Sequence, residues 1–131
     1  MKPLLSVPVR FADIDSQHHS NHVAILAYVA EGRIRLLDDA LRVAGTFDID
    51  YVLVHIDADF LGEIYHPETV DVWGRIIEVG GKSVTSEYEL RRGEEVLASA
   101  VCVNVFFNKA TKKTTTIPEK LRRVMNDQSR T

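Results

Sequence analysis

The sequence predicts an α+β fold, one long helix packed on one face of a five-stranded antiparallel sheet. Three observations carry this. Between Val23 and Ala44 apolar or small residues recur every three or four positions, the period of an amphipathic helix. After Gly45 the period drops to two, the period of strands. Gly80-Gly81 and Arg92-Gly93 separate successive β-type runs, and tight turns of that kind join antiparallel neighbours. At 131 residues the chain is expected to form a single domain, 1–131.

Residues 4–12, LLSVPVRFA, read as the first strand, with Pro8 marking an edge position or a bulge. Residues 13–22, DIDSQHHSNH, are dense in turn and cap formers and read as a loop. The helix follows, its apolar face expected at Leu26, Ala30, Ile34, Leu37, Leu41 and Ala44. Asn21 is its expected N-cap and Gly45 its C-terminal stop. On the polar face Glu31–Arg35 and Asp38–Arg42 have i,i+4 spacing, worth about 0.2–0.5 kcal/mol each. Strands are expected at 51–60, 70–79, 84–90 and 95–107, then a polar stretch 109–116 and a short helix, PEKLRRVM, opened by Pro118.

Apolar residues make up 45% of the chain and charged residues 27%, which is globular rather than disordered composition. The net charge of -3 argues against a nucleic-acid partner. No apolar run reaches membrane-spanning length, and Pro3, Pro8 and Arg10 interrupt any signal-like stretch, so no membrane association and a cytoplasmic location are expected. The single cysteine, Cys102, allows no intrachain disulfide and reads as a core residue in mid-strand.

The loop before the helix is where chemistry concentrates. Within residues 13–22 it holds Asp13, Asp15, His18, His19 and His22. A helix N-terminus offers unpaired N–H groups and a positive dipole end. It can stabilise an oxyanion on a substrate carbonyl, while a nearby carboxylate serves as base or nucleophile. These parts suit hydrolysis of an activated acyl group without selecting it uniquely. The same residues also fit structural duties: an aspartate as a cap or turn former, Asp13 paired with Arg10 or Arg33, histidines at the surface. His19 and His22 with Asp13 or Asp15 have metal-ligand chemistry but lack HExxH or CxxC spacing, and no metal is expected. No GxSxG, P-loop or GxGxxG is present.

The segment resembles the hot-dog-fold acyl-CoA thioesterases of the 4-hydroxybenzoyl-CoA thioesterase-like family. Phe11, Asp13, Asp15, His19, Asn21, Tyr28, Glu31 and Arg33 fall at that family's motif positions without a gap. The run from Asp57 to Phe107 and the TIPEKLRRVM ending are similar to its remaining strands and last helix. The resemblance implies a hot-dog fold, with the sheet wrapped around the long helix, and homodimers or homotetramers with active sites at the dimer interface. It implies Asp15 as the catalytic carboxylate, main-chain donors at His22 and Val23, and an acyl-CoA substrate with no cofactor. His19 and Asn21 would orient the loop or contact substrate, and Ile25 and Phe60 would line the acyl pocket or pack in the core. Lys82 and Ser83 of the VGGKS turn would meet coenzyme A phosphates, with Arg91, Arg92, Lys109, Lys112 and Lys113 as weaker candidates. The chain departs from the family in having His18 where glycine is usual, Ser20-Asn21-His22 for Val-Asn-Asn, and Ile25 where tyrosine is common. Two rivals remain: catalysis by Glu31 on the helix, and a non-catalytic acyl-CoA or acyl-carrier-protein binding module. A dehydratase is compatible with the fold but matches the loop less well.

Overall fold

Strand period, turn glycines and helix caps produce five strands and two helices in a computed structural model that describes residues 1–129. The last two positions of the expected 1–131 domain lie outside the described residues. The order is β1 (Lys2–Pro8), a 3₁₀ turn (Phe11–Asp13), α1 (His22–Ala44), β2 (Ile49–Phe60), β3 (Thr69–Val79), β4 (Ser83–Arg92), β5 (Glu95–Asn108) and α2 (Glu119–Ser129). One antiparallel sheet runs β1-β3-β4-β5-β2. The two glycine-bearing turns make the β3–β4 and β4–β5 hairpins as expected. β2 does not join β3. It crosses to the far edge and pairs with β5 along its whole length, because residues 61–68 form a long link rather than a tight turn.

β1 is shorter than its apolar pattern suggests. It ends at Pro8 on the sheet edge, where the missing N–H costs no ladder bond. The chain then turns at Arg10, whose amide donates to the Asp13 carboxylate at 3.0 Å.

The long helix forms with the expected stops. The Asn21 side chain accepts from the Ala24 amide at 2.9 Å, and Gly45 closes the helix at φ 70°, a conformation glycine adopts without strain. Its buried face is rotated and broader than the spacing implies. Ile25, Tyr28, Val29, Leu36, Leu37, Ala40 and Leu41 are buried, whereas Ile34 is 46% exposed. The sheet covers one side of α1 and α2 adds a second wall through Leu121 and Met125. The expected i,i+4 ion pairs are absent among the described residues. Arg42 reaches Asp39 instead, and Asp38 accepts from the Tyr51 hydroxyl at 2.7 Å.

Gly32 lets α1 approach the sheet closely. A Cβ there would lie 2.4 Å from Val72 Cγ1, and a β-branched neighbour has little rotamer freedom with which to yield. Gly32→Ala is therefore expected to lower the unfolding free energy by about 1–3 kcal/mol, although alanine is the better helix former by about 1 kcal/mol. Chemical denaturation measures the sign.

Candidate active site

The polar segment expected to be a loop is tightly built. The 3₁₀ turn brings Asp13 into the interior at 5% exposure. A small hairpin follows, closed by the Ile14–Ser20 bridge and by the Asp15 amide donating to the His19 carbonyl at 3.3 Å. Asp15 opens this hairpin half-buried, its Oδ1 accepting from the Gln17 amide at 2.8 Å. The other carboxylate oxygen has no partner among the described residues. His18 sits at φ 69°, a left-handed conformation that costs a side-chain-bearing residue roughly 1–2 kcal/mol. This is the position where the sequence departs from glycine. His18→Gly relieves that strain but adds unfolded-state entropy, so thermal melts are expected to show a net gain of roughly 0.5 kcal/mol.

Beneath the hairpin lies a buried hydrogen-bonded chain. Asp13 accepts from the Arg10 guanidinium at 2.9 Å and the Tyr28 hydroxyl at 2.7 Å, and Tyr28 also bonds Ser20 Oγ at 3.1 Å. The Ser20 amide donates to the Ile64 carbonyl at 2.7 Å. Burial alone would raise the Asp13 pKa, but the bonds from Arg10 and Tyr28 outweigh it and hold this carboxyl below the usual range. Tyr28 is pushed up to about 12, first by burial and then by its bond to Asp13, against a lowering bond from Ser20. Asp13 thus fulfils the Arg10 pairing considered from sequence.

The hairpin, the start of α1, the end of β2 and the first residues of the 61–68 link border an open cavity of about 410 Å³, within the ordinary range of small-molecule sites. It is lined by Asp15, His19, Asn21, His22, Ile25 and Phe60 from the expected set, together with Gln17, Ser20, Leu61, Gly62 and Glu63. The His22 and Phe60 rings meet edge to face at 6.5 Å. As the first two helical residues, His22 and Val23 have no intrahelical acceptor for their amides, and none is found elsewhere among the described residues. The Val23 side chain is 63% exposed and does not line the cavity. The 61–68 residues went unnoticed in the sequence because their contribution depends on β2 ending beside α1.

Other candidates lie elsewhere. Lys82 and Ser83 sit at the β3–β4 hairpin, where Ser83 pairs with Val105, whereas Phe60 pairs with Ala98. Seven positions of β5 (98 to 105) separate them, roughly 24 Å. Arg92 is committed to the link, gripping Glu68 at 2.6 and 2.8 Å, Glu95 at 2.8 Å and the Glu63 carbonyl at 2.9 Å. Glu68 is held below its usual pKa mainly by that bond. Arg91 pairs with Glu89 and lies 4.2 Å over the Trp73 ring. Lys109, Lys112 and Lys113 follow the end of β5, remote from the cavity, and Glu31 is exposed beside Leu5 and Arg10, away from Asp15. Cys102 is fully buried, and burial pushes its thiol up. Among the described residues no three His, Cys, Asp or Glu side chains converge closely enough to hold a metal ion, and no helix is long and apolar enough to cross a membrane.

A sheet of this order around one long helix, with a carboxylate hairpin at the helix start, defines the hot-dog thioesterase fold. The chain belongs to the thioesterase-like superfamily, whose family model matches residues 9–125. Solved structures agree on the fold. A hypothetical protein, TT1821, from Thermus thermophilus superposes with a TM-score of 0.86 at 18% identity, over 97% of this chain and 99% of its own. The PA5185 protein of Pseudomonas aeruginosa gives 0.78 at 20% identity, over 95% and 89%. Slr0204, a 1,4-dihydroxy-2-naphthoyl-CoA thioesterase from Synechocystis, gives 0.77 at 19% identity, over 94% of each chain. No curated protein matches the sequence. Family membership supports thioester hydrolysis as the general activity.

Proposed function

We propose that this protein is an acyl-CoA thioesterase that releases a carboxylic acid and free coenzyme A. One observation carries the proposal: Asp15 and the first turn of α1 border the same cavity. A thioester is already activated, so a carboxylate and a set of fixed amide donors suffice without a serine triad. Asp15 acts on the carbonyl as nucleophile or through a water as general base. The amides of His22 and Val23 receive the negative charge that develops on the carbonyl oxygen. Each such donor typically contributes 10²–10³ in rate, about 3–4 kcal/mol. Asn21 caps the helix and fixes those amides, and His19 orients the loop or contacts substrate. Ile25 and Phe60 offer the acyl group an apolar wall. The name of the Synechocystis neighbour favours coenzyme A as carrier, and with it a cytoplasmic location.

The proposed assembly is a homodimer or homotetramer. β2 is a 12-residue edge strand whose outer face exposes Val52 and Val54, and a long unpaired edge of that kind favours strand pairing with another chain. Within one chain Lys82 and Ser83 sit at the far end of β5 from the cavity, which favours the hairpin of a second copy for their role as phosphate contacts.

A thiol-release assay across short, long, branched and aromatic acyl-CoAs tests the function. Turnover of at least one class is expected. Saturable binding with no thiol released from any of them would replace the proposal with the non-catalytic binding module, to which the altered His18–His22 run lends its support.

A further inference from the structure

We infer that His19 is a second catalytic residue, which holds the attacking water by accepting one of its hydrogens while Asp15 accepts the other. The inference rests on the thioesterase reading and deepens it. His19 Nδ1 lies 3.2 Å from the Ser20 carbonyl oxygen. A carbonyl can only accept, so Nδ1 carries the hydrogen and the neutral ring keeps its lone pair on Nε2. That carbonyl is not free to move. Ser20 is 2% exposed, and both its amide and its hydroxyl are bonded, to Ile64 and to Tyr28. The tautomer is thus set by a rigid acceptor. Nε2 has no partner among the described residues, and His19 lines the same cavity as Asp15.

The two residues are also held relative to each other. They end the same five-residue hairpin loop, closed by the Asp15 amide on the His19 carbonyl, and each has one polar atom tied to the backbone and another unbonded. Asp15 uses Oδ1 for the Gln17 amide and keeps its second oxygen; His19 uses Nδ1 and keeps Nε2. Two acceptors on the two legs of one turn can take both hydrogens of a water and direct its oxygen at the substrate carbonyl. The other charged or titratable groups around the cavity are Glu63 from the 61–68 link and His22 from α1. Glu63 is already bonded to the Tyr65 hydroxyl, and the His22 ring packs on Phe60.

Two substitutions separate this role from simple contact. In His19→Asn the amide nitrogen reproduces the Nδ1–H bond to Ser20, but no acceptor reaches into the cavity. His19→Gln places an oxygen near the Nε2 position. With an acyl-CoA turned over by the wild type, His19→Asn is expected to lose about 10²-fold in kcat, the scale of a misplaced reacting group, with KM within about twofold. His19→Gln is expected to recover a substantial part of that loss. Nitrogen-15 NMR of the wild type is expected to show the Nδ1–H tautomer. An unchanged kcat in His19→Asn, a change confined to KM, or equal losses in both variants would each overturn the inference, while wild-type turnover leaves the thioesterase reading standing.

Discussion

Asp15→Asn is expected to reduce turnover by about 10²–10⁴-fold, the largest effect of any single change in this chain. Asparagine keeps the oxygen that accepts from the Gln17 amide at 2.8 Å, so the hairpin survives and circular dichroism and melting stay near wild type. What is removed is the negative charge beside the α1 N-terminus, needed whether the carboxylate attacks or activates water. Glu31→Gln is the matched control. Its side chain is exposed, beside a different concavity lined by Leu5, Arg10 and Tyr28, and its kcat is expected to stay within about twofold. Near-normal thiol release by Asp15→Asn, or a collapse in Glu31→Gln, would move catalysis onto the helix carboxylate.

Asp13→Ala is expected to cost about 2–3 kcal/mol in stability, close to a 10 °C fall in Tm for a domain of this size. Its carboxylate is the common acceptor for the Arg10 amide, the Arg10 guanidinium and the Tyr28 hydroxyl. Arg10 is 74% exposed and can turn to water; Tyr28 is 4% exposed and would keep only Ser20. The pH dependence has a definite sign. A carboxyl held below its ordinary range stabilises the fold above about pH 4, and that contribution disappears as pH falls through the lowered value. The wild type therefore loses stability on acidification more steeply than Asp13→Ala. Tyr28 adds the opposite limb: raised to about 12, it contributes fully below about pH 10 and loses that contribution as pH rises toward 12. Denaturant titrations at a series of pH values separate the two limbs.

Local chemistry determined a good deal of this protein by itself. Asn21 and Gly45 bound α1 because a cap oxygen and a left-handed glycine act within four residues of their own position. The strands and their two glycine turns were likewise set by alternation and neighbouring residues, and the Asp15–His22 segment stood out because its polar groups are adjacent in the chain. Tertiary structure decided what depends on distant partners. Which arc of α1 is buried was settled by the sheet and by α2 about 80 residues later, so Ile34 is exposed where the period alone would have buried it. β2 took the far edge of the sheet because its partner, β5, comes later in the chain. That placement brings Phe60 and the Leu61–Glu63 wall to the helix start and carries Lys82 to the opposite end. Asp13 and Asp15 look alike in sequence; burial against Arg10 and Tyr28 made the first a structural anchor and left an oxygen of the second open to the cavity, because hydrogen-bond partners and solvent access are properties of packing rather than of spacing.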